Sequence, residues 1–75
     1  MELKYESRID GEFEGWDGET IFQLLNGTRW KQYKYAYKYS YKYRPKVRIW
    51  KDGSKFFLDV EGLNKMLQVV RLYDN

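Results

Sequence analysis

Residues Thr20–Trp30 read TIFQLLNGTRW, and this stretch decides the fold class. Two runs rich in β-branched and aromatic side chains lie on either side of Asn26-Gly27, a pair that accepts the positive φ angles of a type I′ turn. The stretch therefore predicts a β-hairpin. A second hairpin is predicted where residues 46–51 and 55–60 flank Asp52-Gly53.

Alternating apolar and polar side chains carry the β pattern outward to both ends of the chain. Residues 3–9 and 67–72 read as strands, and Phe13–Trp16 reads as a further short segment between glycine-containing turns. Pro45 cannot donate to a strand ladder, so it predicts a break before Val47. Residues 63–66, which follow a glycine, predict a single helical turn.

A chain of 75 residues has room for one hydrophobic core, so residues 1–75 are expected to form one domain. The fold class that follows is all-β: a small antiparallel barrel of five to six strands with one helical turn near the C-terminus. An OB-like barrel is the alternative, although the sequence offers no helix of the kind that fold places between strands.

The composition argues against catalysis. The chain has no histidine and no cysteine, which removes the commonest general base, thiol nucleophile and metal ligands. Acidic residues cluster between positions 12 and 19, but their spacing fits no calcium loop, so we interpret them as solvated turn residues. We therefore expect no enzymatic activity, no metal and no cofactor. Because no signal peptide or apolar span is evident, we also expect a cytoplasmic protein without a membrane partner.

Charge is distributed unevenly along the chain. Residues 1–19 contain two basic and seven acidic side chains, whereas residues 28–51 contain nine basic and no acidic ones. One explanation is that the two regions are neighbours in a sheet, since opposite charges on adjacent strands stabilise it by about 0.2–1 kcal/mol per pair. The other explanation is an anionic partner. We favour the first.

Residues 33–44 read YKYAYKYSYKYR, so six tyrosines occupy alternate positions. A straight strand of this length would span about 35 Å, whereas a globule of this size is roughly 30 Å across. The tract must therefore bend. Three roles are open: Tyr33, Tyr35 and Tyr37 line the core, the rings stack on nucleic-acid bases, or they form a groove for a peptide. The lysines fall on the strand face opposite the rings, which weakens the nucleic-acid role.

One long motif supports a family resemblance. The residues Gly15-Trp16, Gly18, Thr20, Phe22, Leu24, Asn26-Gly27, Trp30 and Gln32, followed by the tyrosine run and Arg44-Pro45, give the pattern GWxGxTxFxLxNGxxWxQ. This resembles a family of small bacterial proteins, over about residues 9–72. The resemblance implies a prokaryotic origin and an SH3-like barrel, and it implies no assigned activity.

These observations favour a protein or peptide interaction domain. Trp50 has the opposite parity to Val47 and Ile49, so it is expected to be exposed, as interface tryptophans are. The predicted binding residues are Trp16, Trp30, Trp50, Tyr35, Tyr37, Tyr39 and Tyr41. The alternative is a single-stranded nucleic-acid binder that uses Lys34, Lys38 and Lys42. Homodimerisation through an unpaired tyrosine strand is a third possibility.

Overall fold

A computed structural model describes residues 1–73, which form eight β-strands. They assemble into a six-stranded antiparallel sheet in the order β1-β6-β7-β8-β4-β3 and a two-stranded antiparallel ribbon, β2-β5. Among these residues there is no helix of the length and apolarity that a membrane crossing requires. The strands are β1 (Glu2–Arg8), β2 (Glu12–Trp16), β3 (Ile21–Gln23), β4 (Arg29–Gln32), β5 (Lys38–Tyr43), β6 (Lys46–Asp52), β7 (Lys55–Val60) and β8 (Leu67–Leu72).

Both predicted hairpins are confirmed, as β3–β4 and β6–β7. The first turn differs from the expected two-residue type. The Leu24 N–H donates to the Thr28 carbonyl at 3.0 Å, which leaves a loop of three residues, and only Gly27 in it has a positive φ, of 89°. A type I′ turn needs two residues with positive φ, whereas a three-residue loop needs only one. Gly27 alone can therefore supply the left-handed position of this loop.

The all-β, antiparallel fold is confirmed, but the predicted closed barrel is not found among residues 1–73. The edge strands β1 and β3 meet at one end, where Ile9 bridges Leu24 and the Asp10 N–H donates to the Gln23 carbonyl at 2.8 Å. With three residues, β3 is too short to pair along the seven-residue β1. The strand count exceeds five to six because Phe13–Trp16 and the second half of the tyrosine tract pair as a separate ribbon.

The helical turn predicted over residues 63–66 is absent. The chain instead reverses at Gly62, whose φ is 85°, and the Leu63 N–H donates to the Val60 carbonyl at 3.0 Å. Leu63 then packs against the core and the chain reaches β8 without regular structure. The predicted break at Pro45 is confirmed, because β5 ends at Tyr43 and Arg44 takes a φ of 47° before β6 begins.

The core lies between the inner face of the large sheet and the ribbon. On the large sheet, Trp30 is completely buried and packs against Phe56 with ring centroids 5.1 Å apart. The ribbon contributes Phe13 and Trp16, and the Phe13 ring stacks on Phe22 with centroids 6.2 Å apart. The buried apolar side chains are Ile9, Phe13, Trp16, Phe22, Leu24, Trp30, Val47, Ile49, Leu58, Val60, Leu67 and Val69.

The acidic N-terminal region lies beside the basic middle of the chain, as the charge pattern predicted. Strand β1 pairs with β6, so that Glu2 is opposite Lys51 and Glu6 is opposite Arg48. The Arg48 Nε lies 3.6 Å from a Glu6 carboxylate oxygen. The ribbon joins the same two regions, because β2 comes from the acidic part and β5 from the basic part.

The ribbon depends on Gly15, and this can be tested by substitution. Gly15 has a φ of 97°, and a Cβ there would overlap the carbonyl oxygen of Lys38 on the paired strand. We expect Gly15→Ala to lower the free energy of unfolding by the cost of a left-handed alanine, about 1–2 kcal/mol, and by a further 1–3 kcal/mol or so for overpacking. Urea denaturation measures the sum of these two losses.

Gly27→Ala is the matched control. Gly27 has a similar φ of 89°, but a Cβ there would meet nothing within 4 Å. We therefore expect Gly27→Ala to lose only the stability that a left-handed alanine costs, without the loss from overpacking. Equal losses of stability in the two variants would contradict the close approach of β5 to Gly15.

Candidate functional site

The tyrosines of the tract are exposed, and we call this set of side chains the tyrosine face. It consists of the six tyrosines at odd positions between 33 and 43, and their side chains are between 52% and 78% exposed. The expectation that Tyr33, Tyr35 and Tyr37 line the core is wrong. The tract also bends as predicted, because its first half is a loop and only Lys38–Tyr43 forms a strand.

The register of the ribbon explains why the rings point outward. Phe13 lies directly opposite Lys42, and Trp16 lies directly opposite Lys38. Residues that face each other across an antiparallel pair share one side of the sheet. Because Phe13 and Trp16 occupy the core side, Lys38 and Lys42 share it and the tyrosines of β5 take the other side. Exposure along β5 alternates accordingly.

The loop half of the tyrosine face is held by Gln32, which is only 3% exposed. Its amide nitrogen donates to the carbonyl oxygens of Lys34 and Ala36, both at 2.9 Å. Its amide oxygen accepts the Gly18 N–H at 2.7 Å. One buried side chain thus joins the tyrosine loop to the turn after β2.

That turn also supports Tyr35. Gly18 has a φ of 119°, and a Cβ there would lie 2.6 Å from the Tyr35 ring. Next to it, the Thr20 hydroxyl donates to the Asp17 carboxylate at 2.9 Å and accepts the Asp17 N–H at 3.0 Å. Several residues of the GWxGxTxFxLxNGxxWxQ pattern, namely Gly15, Gly18, Thr20 and Gln32, therefore position the tyrosine face.

Carboxylates lie among the rings. The Tyr41 hydroxyl donates to a Glu12 carboxylate oxygen at 3.3 Å. A groove of about 450 Å³ lies beside it, where the end of β2 faces the start of β5. Within residues 1–73, Glu12, Glu14 and Asp17 form no ion pair with a basic side chain. The groove is lined by Glu12, Glu14, Gly15, Trp16, Asp17, Thr20, Tyr37, Lys38 and Tyr39.

The three lysines of the predicted nucleic-acid site do not form one group beside the rings. Lys34 is exposed in the loop. Lys38 and Lys42 are half-buried on the opposite side of β5, and the Lys42 ammonium lies against Gly62 between β7 and β8. Lys42 is thus separated from the aromatic rings, whereas Lys38 reaches the lining of the groove beside Tyr37 and Tyr39.

The three tryptophans do not form a common surface. Trp16 is 5% exposed and Trp30 is fully buried, with its Nε1 donating to the Thr28 hydroxyl at 2.8 Å. The expectation that these two rings are exposed is wrong, because both fill the core. Trp50 lies on the outer face of the large sheet, as its parity predicts, and is half-buried there, with its Nε1 3.4 Å from an Asp59 carboxylate oxygen.

A larger depression lies between the ends of β1, β6 and β7. It has a volume of about 750 Å³ and is lined by three acidic and three basic side chains together with buried Val47 and Val60. Its balanced charge favours no particular ligand. Across the part of the chain that the structure describes, no group of acidic side chains is close enough to hold a metal ion.

Sequence reasoning missed Gln32 and the placement of Glu12 and Glu14 among the rings. The burial of Gln32 could have been predicted, because Gln32 lies two residues after Trp30 and therefore on the same face of the predicted strand. The placement of Glu12 and Glu14 could not have been predicted from the sequence, because it depends on which strand pairs with β5.

The role of Gln32 gives a stability prediction. Gln32→Leu keeps the volume but leaves the Gly18 N–H and two loop carbonyls without their partner, so we expect a loss of about 1–3 kcal/mol in the free energy of unfolding. Gln68→Leu is the control, since the Gln68 side chain is half-exposed and makes no hydrogen bond within residues 1–73. It should change stability by less than about 0.5 kcal/mol. Similar losses in urea denaturation would contradict the buried network.

Tyr41 gives a pH prediction. Loss of hydration raises the pKa of the Tyr41 phenol above its ordinary value, and the charge of Glu12 and its hydrogen bond raise it further. The contact with Glu12 therefore stabilises the fold below the ordinary pKa of tyrosine and is lost as the pH rises through the higher pKa of the folded state. In titrations followed at 295 nm, we expect Tyr41→Phe to remove a late-ionising component and Glu12→Gln to move it to lower pH. Glu2→Gln should leave it in place, and an unchanged curve in Glu12→Gln would refute the contact.

Comparisons with known proteins identify no relative of this chain: no family model, no curated protein and no solved structure matches it. The resemblance to a bacterial family therefore stays a prediction.

Proposed function

We propose that this chain is a non-enzymatic interaction domain whose tyrosine face binds an extended segment of a partner protein. The observation that supports this most directly is the exposure of all six tyrosines of the tract, each more than half exposed. Monomeric proteins rarely expose contiguous aromatic patches without an interaction that uses them.

The chemistry of tyrosine suits such a role. A tyrosine side chain offers a large, rigid contact area and a hydroxyl, at a low cost in conformational entropy. The tyrosine face is also supported from below by the Gln32 hydrogen bonds and by the close packing at Gly15 and Gly18. Such preorganisation lowers the entropy lost on binding. The absence of histidine and cysteine from the sequence supports binding over catalysis.

Binding of single-stranded nucleic acid is the alternative function. Tyrosine rings could stack on bases, and exposed Lys34 lies next to Tyr33 and Tyr35. The carboxylates beside the rings make this function less favourable, and so does the placement of Lys42 on the opposite side of β5. Phosphates would therefore meet negative charge where the bases stack.

A second copy of the chain is a further possible partner. Strand β5 pairs with β2 alone within residues 1–73, so its other edge has no strand beside it. Unpaired edges favour strand addition. The SH3-like relationship, the bacterial origin and the cytoplasmic location stay predictions from the sequence.

Peptide display tests the proposed function. Random dodecapeptides would be selected against the immobilised domain, and the enriched peptides would be measured by fluorescence anisotropy. We expect Tyr39→Ser to weaken them about tenfold or more, as loss of a central interface aromatic does. Tyr73→Ser is the matched control, because Tyr73 is 73% exposed but lies outside the tyrosine face.

Enrichment of no peptide, or equal binding to both variants, would count against the proposal. A labelled oligothymidine at low salt tests the alternative: binding that weakens with salt and with Lys34→Ala would favour nucleic acid. Sedimentation equilibrium reports whether the domain associates with a second copy of itself.

A further inference from the structure

We infer that the groove in the tyrosine face receives a cationic side chain, a lysine or an arginine, of the bound segment. This inference rests on the proposed function and specifies the chemistry of the partner. The groove lies where Glu12, Glu14 and Asp17 on one side face Tyr37 and Tyr39 on the other.

The charge of the groove favours a cationic ligand. Three acidic residues and one basic residue, Lys38, line it. None of the three carboxylates forms an ion pair within residues 1–73, whereas Glu6 on the large sheet pairs with Arg48 at 3.6 Å. The groove therefore keeps an excess of negative charge, which favours a positively charged ligand and disfavours a phosphate.

The neighbouring aromatic rings also favour a cation. A cation over a tyrosine ring is attracted by the negative charge of the ring face, at distances up to about 6 Å from the centroid. The same surface already contains one such contact, because the Arg44 guanidinium lies 5.6 Å from the centroid of the Tyr43 ring. An incoming cation at Tyr37 and Tyr39 would repeat this contact with carboxylates close by.

The size and the donor set make the ligand an organic cation. The groove has a volume of about 450 Å³, within the range of roughly 300–1,000 Å³ that is usual for small-molecule sites. Across residues 1–73, the acidic side chains are not grouped closely enough to hold a metal ion. Spaced carboxylates beside aromatic rings suit a guanidinium or ammonium group on a long aliphatic stem.

Nuclear magnetic resonance with single-residue probes tests the inference without a selected peptide. N-acetyl-arginine methylamide would be titrated into the ¹⁵N-labelled domain at millimolar concentration, with N-acetyl-citrulline methylamide as its neutral counterpart. We expect saturable shifts at the amides of Gly15, Gly18 and Tyr39 with the arginine probe. Shifts with the citrulline probe should be weaker by about three- to tenfold, as expected for the loss of exposed charge pairs.

The variant Glu12→Gln with Glu14→Gln removes the charge while keeping the side-chain size, and its own spectrum reports whether it is folded. We expect the arginine probe to bind it about three- to tenfold more weakly. Glu2→Gln, which makes a like change on β1 away from the groove, should bind as the parent does. Equal shifts from the two probes, or unchanged binding in the double variant, would overturn the inference.

The two proposals fail differently. Display peptides that need Tyr39 but show no preference for lysine or arginine would keep the interaction domain and overturn the cation site. Probe binding that depends on Glu12 and Glu14, without any peptide that needs Tyr39, would support the cation site and overturn the peptide-binding function.

Discussion

The ribbon of β2 and β5 has to be held by the rest of the molecule, because two antiparallel strands alone are at best marginally stable in water. Phe13 and Trp16 supply the attachment. Both are almost fully buried, their rings are in edge contact with centroids 6.4 Å apart, and Phe13 stacks on Phe22 of the large sheet. They lie three positions apart, and both can point inward because the ladder shifts register between Phe13 and Gly15. Everything on the outer side of the ribbon follows from this docking.

The orientation of the tyrosines is one consequence. Burying a tyrosine ring would normally be favourable, but the space under the ribbon is already filled by Phe13 and Trp16. What remains at its margin suits small or flexible side chains, and Ala36, Lys38, Ser40 and Lys42 are half-buried there. A lysine can cover apolar surface with its stem and keep its ammonium group in water. The strand therefore places lysines on the core side and aromatics on the solvent side, the reverse of the usual preference.

Local patterns were enough to predict what depends on neighbours in sequence. The hairpins at Gly27 and Gly53, the break at Pro45 and the inward parity of Val47 and Ile49 belong to this group. The exposure of the tyrosines, the burial of Trp16 and the open edge between β1 and β3 were not predictable in this way, because each depends on strand pairing between distant parts of the chain. A one-residue choice of register turns every side chain of a strand to the other face. The alternation therefore predicted that the tyrosines share one side of the strand, but it did not predict whether that side faces the core or the solvent.

Net charge and local charge point to different partners. The chain carries +3 overall, with its basic residues concentrated in the middle third, which on composition alone favours an anionic ligand. Folding separates the charges of that third. Strand β6 places Arg48 and Lys51 opposite Glu6 and Glu2 of β1, while the register of β5 puts Lys38 and Lys42 on the strand face opposite its rings. Because screening at physiological salt limits the reach of exposed charges to about 8 Å, the field in the groove between β2 and β5 is set mainly by Glu12, Glu14 and Asp17, with Lys38 as the one basic residue of its lining. A partner side chain that enters this groove would therefore meet a negatively charged aromatic site on a positively charged protein.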